Sequence, residues 1–529
     1  MEKLKLKGKE EEKIPVPKNA VLYFERLNRF NQWRKLVGVE IGIKEEKPEN
    51  ITKERKNEEE RIKKKYLGFL DTNLFLLLGK KNYDEFRNYF QVGSYRYFLE
   101  NLSKNLPPMS ENCRIVVILP SRLEGKNILS VLEGYLNQID NTNNHLNKDL
   151  FEIIILINRR ENEPDDDTEE KIQGFCQQHP EIRIRTVKVI FPQNEAIANV
   201  GMCRKIISDL AILRSKNHTK PLYFITEDAD TIFVDPKIVF RTIENFDNKY
   251  PLDALKGQER RDPNILKEIP FLLFKLQLDA ALPMLLKQGR KDLERDLEFI
   301  DNEIFRWRRI ITGGWTTAFT SEVLMKIGGY LPVKLGEDLS IGELISLLRG
   351  KEIEINKFGK IIQPNNSTIN FSPIKSIGSA RRYMAELLQR IETAYSSQFG
   401  AEKEIKTLRE LNIDEALKEI KEKRLNEINE TTLEMIENDL SGKRLFLIKI
   451  LGKEKGERLF ERLMTIVLGF NKKDYKIENN QVKILNSDKL KAIFYTFRLR
   501  LWLGQKLKND RKTEVFGLPI MPIFRDSKN

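Results

Sequence analysis

Residues 114–128 of the chain read RIVVILPSRLEGKNI, and this stretch decides the fold. Ile115 to Leu119 is a continuous apolar run rich in β-branched side chains, which predicts a strand buried on both faces. Apolar residues then recur at the three- and four-residue spacing of a helix: Ile128, Val131, Leu132, Tyr135 and Leu136. The stretch therefore predicts a buried strand followed by an amphipathic helix.

The same alternation continues along the chain. Ile153 to Ile157 and Ile182 to Phe191 predict a second and a third strand, and a helix is expected from about Ala196 to Arg214. Leu222 to Ile225 predicts a fourth strand. Alternating buried strands and helices are typical of an α/β fold, with a mostly parallel sheet covered by helices on both faces. Ligands of such folds bind at the carboxyl ends of the strands.

The chain is longer than a single compact core usually reaches, so we expect more than one region in its 529 residues. We predict a charged helical N-terminal extension over 1–110, an α/β domain over 111–382 and a helical C-terminal region over 383–529. The segment Leu106-Pro107-Pro108 interrupts any helix and marks the first boundary.

The net charge of +13 raises the question of a nucleic-acid partner. Lysines are interleaved with glutamates in runs such as Lys53 to Lys65, a pattern typical of solvated helix faces. We therefore do not expect nucleic acid to bind. The cysteines, Cys113, Cys176 and Cys203, are too few and too scattered for a disulfide framework, which indicates a reducing, cytoplasmic setting.

No stretch approaches the roughly 20 apolar residues that a membrane-spanning helix requires. The longest candidate, Pro270 to Leu286, is interrupted by Lys275, Gln277 and Asp279. It is amphipathic, so it either packs against the protein's own core or lies on the inner face of a membrane as a peripheral contact. The sequence predicts a soluble or peripheral cytoplasmic protein.

Two aspartates follow the fourth predicted strand, in the sequence Thr226-Glu227-Asp228-Ala229-Asp230-Thr231. If the backbone stays extended there, Asp228 and Asp230 point the same way. Converging carboxylates form an oxygen-rich site of the kind that Mn²⁺ or Mg²⁺ prefers. The alternative is an ordinary acidic loop that serves solubility or helix capping.

Paired glycines and acidic residues follow in a second cluster, from Thr312-Gly313-Gly314-Trp315 through Gly328-Gly329 to Glu337-Asp338. The two acids open a predicted helix whose buried face comprises Ile341, Leu344, Ile345 and Leu348. One of these carboxylates could accept a proton from an attacking hydroxyl group. Acidic residues also cap helix N-termini, so both interpretations stay open.

These segments together resemble family 2 glycosyltransferases of the GT-A fold, in matching order across about half of the chain. The resemblance rests on RIVVILPSRLEGKNI, FEIIILIN, YFITEDADTIFVDP, GGWTTAFTSEVLMKIGGY and GEDLSIGEL. It implies a metal-dependent transfer of a sugar from a nucleoside-diphosphate sugar to an acceptor hydroxyl, with inversion. The acceptor stays open among a glycan, a lipid and a small molecule.

The resemblance also implies a role for each matching residue. The nucleotide-sugar contacts would be Pro120, Ser121, Glu124, Asn158, Asp228, Arg381 and Arg382. Asp228 and Asp230 would hold Mn²⁺ or Mg²⁺, and Gly314 and Trp315 would lie on the acceptor side. Asp338 would be the general base with Glu337 as its partner. Arg381 and Arg382 could clamp the diphosphate, although a surface helix start is an equal alternative.

Two other functions remain as alternatives. A nucleotidyltransferase that makes an activated sugar would also use a parallel sheet and a metal-binding aspartate. A non-catalytic basic binding module on the same scaffold would instead use clustered cations with interleaved aromatic residues, as in the small group Arg498, Arg500, Trp502 and Lys506.

Overall fold

A computed structural model describes residues 18–42, 51–125, 127–249, 252–261, 274, 278, 316–333, 337–350, 354–355, 361–362, 369–378, 427–495, 514–515 and 518–519. The fold is α/β. The described strands are β1 Ile115–Ser121, β2 Phe151–Arg160, β3 Ile184–Phe191, β4 Tyr223–Thr226, β5 Thr231–Val234, β6 Ala254–Arg261, β7 Thr317–Thr320, β8 Glu354–Ile355, β9 Ile361–Ile362, β10 Ile369–Gly378, β11 Tyr475–Glu478, β12 Gln481–Ile484, β13 Glu514–Val515 and β14 Leu518–Pro519.

One large sheet joins eight of these strands in the order β3-β2-β1-β4-β7-β6-β10-β5. Strands β3, β2, β1 and β4 are mutually parallel, and β6 is parallel to β10. Strand β7 is antiparallel to both of its neighbours, and the edge strand β5 is antiparallel to β10. The predicted mostly parallel sheet is confirmed, with its carboxyl ends along one edge.

The described helices are α1 Lys18–Val37, α2 Ile51–Gly68, α3 Leu70–Phe90, α4 Tyr95–Lys104, α5 Ile128–Leu136, α6 Thr168–Gln178, α7 Val200–Arg214, α8 Ile238–Asn248, α9 Ser321–Ile327, α10 Glu337–Leu348, α11 Glu430–Leu451 and α12 Lys453–Leu468. A 3₁₀ turn, Lys148–Leu150, precedes β2. Helices α1 to α4 lie before residue 110.

Helices cover both faces of the sheet because the strand residues alternate between two apolar cores. Ile115, Val117 and Leu119 pack on the face covered by α5, α6 and α8. Val116 and Ile118 pack on the opposite face, which is covered by α7, α9 and α10. This second core also takes in side chains of α1 to α4, so the N-terminal helices share their apolar interior with the sheet.

A buried polar cluster joins the N-terminal helices to α7. We call it the Lys205 cluster; it consists of Lys205, Asp209, Tyr66 and Tyr95. Lys205 and Asp209 are fully buried, and Lys205 Nζ lies 3.0 Å from Asp209 Oδ2. The hydroxyl groups of Tyr66 and Tyr95 donate to the two oxygens of Asp209, at 2.6 and 2.9 Å. Both oxygens of this buried carboxylate are thus satisfied, as a buried charge requires.

The C-terminal region has one feature that the sequence did not suggest. Helices α11 and α12 are followed by a hairpin of β11 and β12. Glu437 of α11 accepts a hydrogen bond from Ile484 N of β12 at 2.8 Å, which attaches the hairpin to the helix.

Two residues of the amphipathic segment 270–286, Phe274 and Leu278, are described, and both are buried. Within the described parts of the chain, every helix falls short of the length or the apolarity needed to cross a membrane.

Candidate active site

The register of the sheet brings three predicted site segments to one edge. Ile118 of β1 pairs with Thr226, the last residue of β4, so Asp228 leaves the sheet beside the end of β1. On the other side of β1, Ser121 pairs with Ile157 of β2, one residue before Asn158. The loop after β1, Asn158 and the acidic triplet therefore share the carboxyl edge where α/β folds bind ligands.

The triplet forms a turn between β4 and β5. Thr231 N donates to Asp228 O at 3.1 Å, and Ala229 and Asp230 occupy the turn. The assumption of extended backbone through Asp228 and Asp230 was therefore wrong, because β5 starts immediately afterwards and the chain must reverse. Both aspartates remain partly exposed.

A buried carboxylate supports this turn from beneath. Glu227 is fully buried, and its Oε1 accepts a hydrogen bond from Thr231 Oγ1 at 3.1 Å. Its backbone N donates to Ile118 O of β1, also at 3.1 Å. Burial and the neighbouring Glu227 raise the pKa of Tyr135 well above its usual value. The turn is thus fixed to the sheet on both sides of the aspartates.

Arg204 of α7 connects the acidic turn to the start of α10. Its guanidinium group is almost completely buried and pairs with two carboxylates from distant parts of the chain. One nitrogen donates to Asp228 Oδ1 at 2.8 Å, and another donates to Glu337 Oε1. The planar fork of an arginine suits this double contact. Burial acts to lower the pKa of Arg204, but Glu337 and Asp228 outweigh it and raise that pKa.

The two predicted catalytic acids differ in their surroundings. Glu337 is 5% exposed, and burial raises its pKa to about 7; Arg204 acts in the opposite direction, whereas Asp338 and Asp228 add to the rise. Asp338, the next residue, is partly exposed. Both lie in the first turn of α10, so the capping interpretation of these acids also has a structural basis. The predicted buried face of α10 is confirmed.

Helix α7 also holds the segment that leads to α10. Asn199 Nδ2 donates to Pro332 O at 3.2 Å, and Gly201 N donates to Val333 O at 3.3 Å. A Cβ atom on Gly201 would meet Leu331 O at 2.1 Å, so only glycine permits this approach. Tyr330, in the same segment, hydrogen-bonds Thr226 at the end of β4 through its hydroxyl group, at 2.8 Å.

The residues predicted to contact the nucleotide line the neighbouring part of the edge. Ser121 is fully buried, its carbonyl accepts from Asn158 Nδ2 at 2.9 Å, and its hydroxyl oxygen has no hydrogen-bond partner. Pro120 and Glu124 are partly exposed. Glu124 Oε2 accepts from Asn127 Nδ2 at 2.9 Å. A buried hydroxyl without a partner at an open edge offers a contact to a ligand.

Four predicted site residues, Gly314, Trp315, Arg381 and Arg382, lie outside the described residues. Their described neighbours approach the site. Thr316, directly after Trp315, is fully buried and bonds Ser376 of β10. Gly378, at the end of β10, pairs with Thr231 next to Asp230.

The donor set at the turn consists of oxygens. In the described part of the chain, no group of three or more His, Cys, Asp or Glu side chains is arranged to hold a metal ion. Asp228 and Asp230 alone supply two carboxylates, and Mg²⁺ often takes its other ligands from water and substrate phosphates. Two partly exposed carboxylates fit this mode of binding.

Sequence reasoning missed Arg204 and Tyr330. Arg204 lies in a helix whose residues from Gly201 to Leu213 are all buried, together with Lys205, Ser208 and Asp209. The available signal was this concentration of charged side chains within an otherwise apolar helix. Buried charges need partners, so they should have been matched with the acids of the motifs.

No family model matches the sequence, and no curated protein does. Among solved structures, the chain is similar to a mannosyltransferase from Pyrobaculum calidifontis in complex with GDP-Man and Mn²⁺, at 13% identity and a TM-score of 0.32, covering 78% of this chain and 92% of that one.

It is also similar to glucosyl-3-phosphoglycerate synthase from Mycobacterium tuberculosis. The complex of that protein with Mn²⁺, UDP and phosphoglyceric acid has 16% identity and a TM-score of 0.23, covering 43% of this chain and 60% of that one. The complex with phosphoglyceric acid has 16% identity and a TM-score of 0.28, covering 56% and 82%. Such values mark distant similarities.

Proposed function

We propose that the chain transfers a sugar from a nucleoside-diphosphate sugar to an acceptor hydroxyl with inversion, using Mn²⁺ or Mg²⁺ at Asp228 and Asp230. The observation that carries the proposal is the contact of Arg204 with both Asp228 and Glu337. One guanidinium group thus contacts a carboxylate of the candidate cation site and Glu337, the residue before the candidate base Asp338, which supports the proposal. Glycosyl transfer needs both in one site, because the leaving group and the nucleophile meet at the same carbon.

Asp338 is the base in this proposal. Glu337 is buried and held by Arg204, so it serves as the partner that fixes the start of α10. Asp338 is partly exposed, and we assign it to the acceptor hydroxyl. Its carboxylate takes the proton of the acceptor hydroxyl while the oxygen bonds to the anomeric carbon. The bond from that carbon to the diphosphate breaks, and the diphosphate leaves with the electron pair.

The remaining residues bind and orient the donor. Asp228 and Asp230 would hold a divalent cation, which would supply positive charge opposite the departing diphosphate. Pro120, Ser121, Glu124 and Asn158 contact the nucleotide. The family resemblance assigns Arg381 and Arg382 to the diphosphate and Gly314 and Trp315 to the acceptor side, and these four lie outside the described residues.

The test is a panel of UDP- and GDP-sugars with Mn²⁺, in which release of the nucleoside diphosphate is measured with and without candidate acceptors. Asp230→Ala should lower metal-dependent turnover at least about 10²-fold, the scale on which losing one electrostatic contact acts. Asp338→Asn should lower transfer by about 10²- to 10⁴-fold, the contribution of a general base. Asp247→Asn is the matched control, since Asp247 contacts Tyr223 at the opposite end of β4.

Ordinary activity in Asp230→Ala, or an inert wild type with every donor, would refute the proposal. Release of pyrophosphate from nucleoside triphosphates and sugar phosphates would favour the nucleotidyltransferase instead. Localisation in the cytoplasm, with or without peripheral membrane contact, belongs to the same proposal.

A further inference from the structure

One of the two ion pairs of Arg204 is with Asp228, which the proposed function assigns to a metal ion. Its nitrogen lies 2.8 Å from Asp228 Oδ1, which is a full charge-assisted hydrogen bond. A divalent cation bound by the same carboxylate would place a second positive charge close to the guanidinium group. Two cations at that separation repel each other.

The two ends of the arginine bridge differ in exposure. The side chain of Glu337 is 7% exposed and that of Asp228 is 30% exposed. The Glu337 end is therefore closed to ions, whereas the Asp228 end opens towards solvent. Of the two pairs, only the one with Asp228 can be exchanged for a pair with an incoming cation.

We propose that Arg204 is a positioning residue that occupies Asp228 when no divalent cation is bound and that competes with the cation for this carboxylate. When the cation binds, Arg204 keeps its ion pair with Glu337 and loses its ion pair with Asp228. The inference rests on the proposed cation site and deepens it, because it links occupation of that site to the arginine that holds the start of α10. A purely structural Arg204 would instead support the acidic turn, and its loss would weaken cation binding.

The test measures Mn²⁺ binding without any sugar donor, from the electron paramagnetic resonance signal of free Mn²⁺. Replacing Arg204 alone would leave Glu337 buried without its partner, which threatens folding. The comparison is therefore between Glu337→Gln and the double variant Arg204→Gln/Glu337→Gln, in which the buried charges are removed together.

Loss of the arginine should tighten Mn²⁺ binding about tenfold relative to Glu337→Gln, as expected for removing a unit positive charge a few ångströms from the ion at a partly screened site. Arg204→Lys/Glu337→Gln keeps the charge, so its affinity should stay within about threefold of Glu337→Gln. Circular dichroism and thermal melting establish that each variant is folded.

The matched control compares Arg214→Gln/Glu152→Gln with Glu152→Gln, so that it too removes one arginine charge. Arg214 lies at the other end of α7 and forms a buried pair with both oxygens of Glu152, far from the acidic turn. Its removal should leave Mn²⁺ affinity unchanged. A tighter site in this control would show that the gain comes from net charge in general, and would overturn the proposal.

Equal or weaker Mn²⁺ binding in the double variant than in Glu337→Gln would overturn the competition, and so would a wild type that binds no Mn²⁺ up to millimolar concentrations. The assay contains no donor and measures no turnover. If no donor is turned over by the wild type but the double variant binds Mn²⁺ more tightly, sugar transfer is refuted and the competition stands. If the wild type transfers sugar but the double variant binds Mn²⁺ no more tightly, the competition is refuted and sugar transfer stands.

Discussion

Arg204 and Lys205 are neighbours on α7, and both are buried, yet they build two different regions. Lys205 pairs with Asp209, whose two oxygens also accept from Tyr66 and Tyr95, so every member of that cluster is enclosed. Arg204 pairs with Glu337 and with Asp228, and the second of these acids is partly exposed. The closed cluster holds the N-terminal helices against the α/β core, whereas the open bridge reaches the carboxyl edge of the sheet, where we propose that the donor binds.

Burial alone therefore does not distinguish charges that only stabilise the fold from charges that can exchange a partner for a ligand. A closed network has no exchangeable partner, so it stabilises one arrangement. A network with one solvent-facing carboxylate can trade that partner for a ligand. Variants of the closed cluster should therefore change stability, whereas variants of the open bridge should change the response to pH and to a cation.

Lys205→Met should lower the free energy of unfolding by about 3–5 kcal/mol, because it leaves Asp209 buried without its cation. Urea denaturation followed by circular dichroism measures the change. Lys188→Met is the matched control, since Lys188 pairs with Glu169 on the surface and should contribute below about 1 kcal/mol. Equal losses of unfolding free energy in the two variants would mean that the buried Lys205 pair stabilises the fold no more than a surface pair does.

Glu337 should give the open bridge a pH dependence that Glu337→Gln lacks. The pKa of Glu337 is raised by burial from 4.5 to about 7, so the folded state binds this proton more tightly than the unfolded state does. Stability therefore falls as the pH rises between these two values, by up to about 3 kcal/mol relative to Glu337→Gln. Denaturation of both proteins from pH 4 to pH 8 checks the sign, and a constant difference between them would contradict it.

Tyr95→Phe should lower the free energy of unfolding by about 2 kcal/mol, since it removes one of the two hydroxyl groups that donate to the buried Asp209. Its activity per folded molecule should stay near that of the wild type, because the cluster does not reach the site edge. Tyr97→Phe, on the exposed face of the same helix, is the control. A large loss of activity in Tyr95→Phe without loss of stability would mean that the two regions are coupled.

The parts of the fold that could be predicted are those fixed by local patterns. The apolar runs before Pro120 and before Glu227 predicted β1 and β4, and their structural bounds differ from the predictions by only a few residues. Strand β7 could not be found in this way. It has four residues and lies between β4 and β6 only because of pairing across the sheet.

The candidate site residues also include some that local sequence patterns reveal and one that depends on tertiary packing. Asp228, Asp230, Glu337 and Asp338 stand out in the sequence because acids follow an apolar strand or open an apolar helix. Arg204 gives a weaker signal, a charged side chain within a mostly apolar helix, and the sequence does not show which acids it meets. Only tertiary packing encloses α7 on every side and turns that arginine into a bridge between distant acids.

The edge strand β5 has a consequence for the order in which the protein is made. It follows Asp230 directly, and its neighbour in the sheet is β10, which lies far later in the chain. During translation, both aspartates emerge from the ribosome well before this neighbour is synthesised. The backbone after the acidic turn gains its pairing strand only once the ribosome has passed Gly378, so a nascent chain that stops earlier would carry the motif without the strand that completes it.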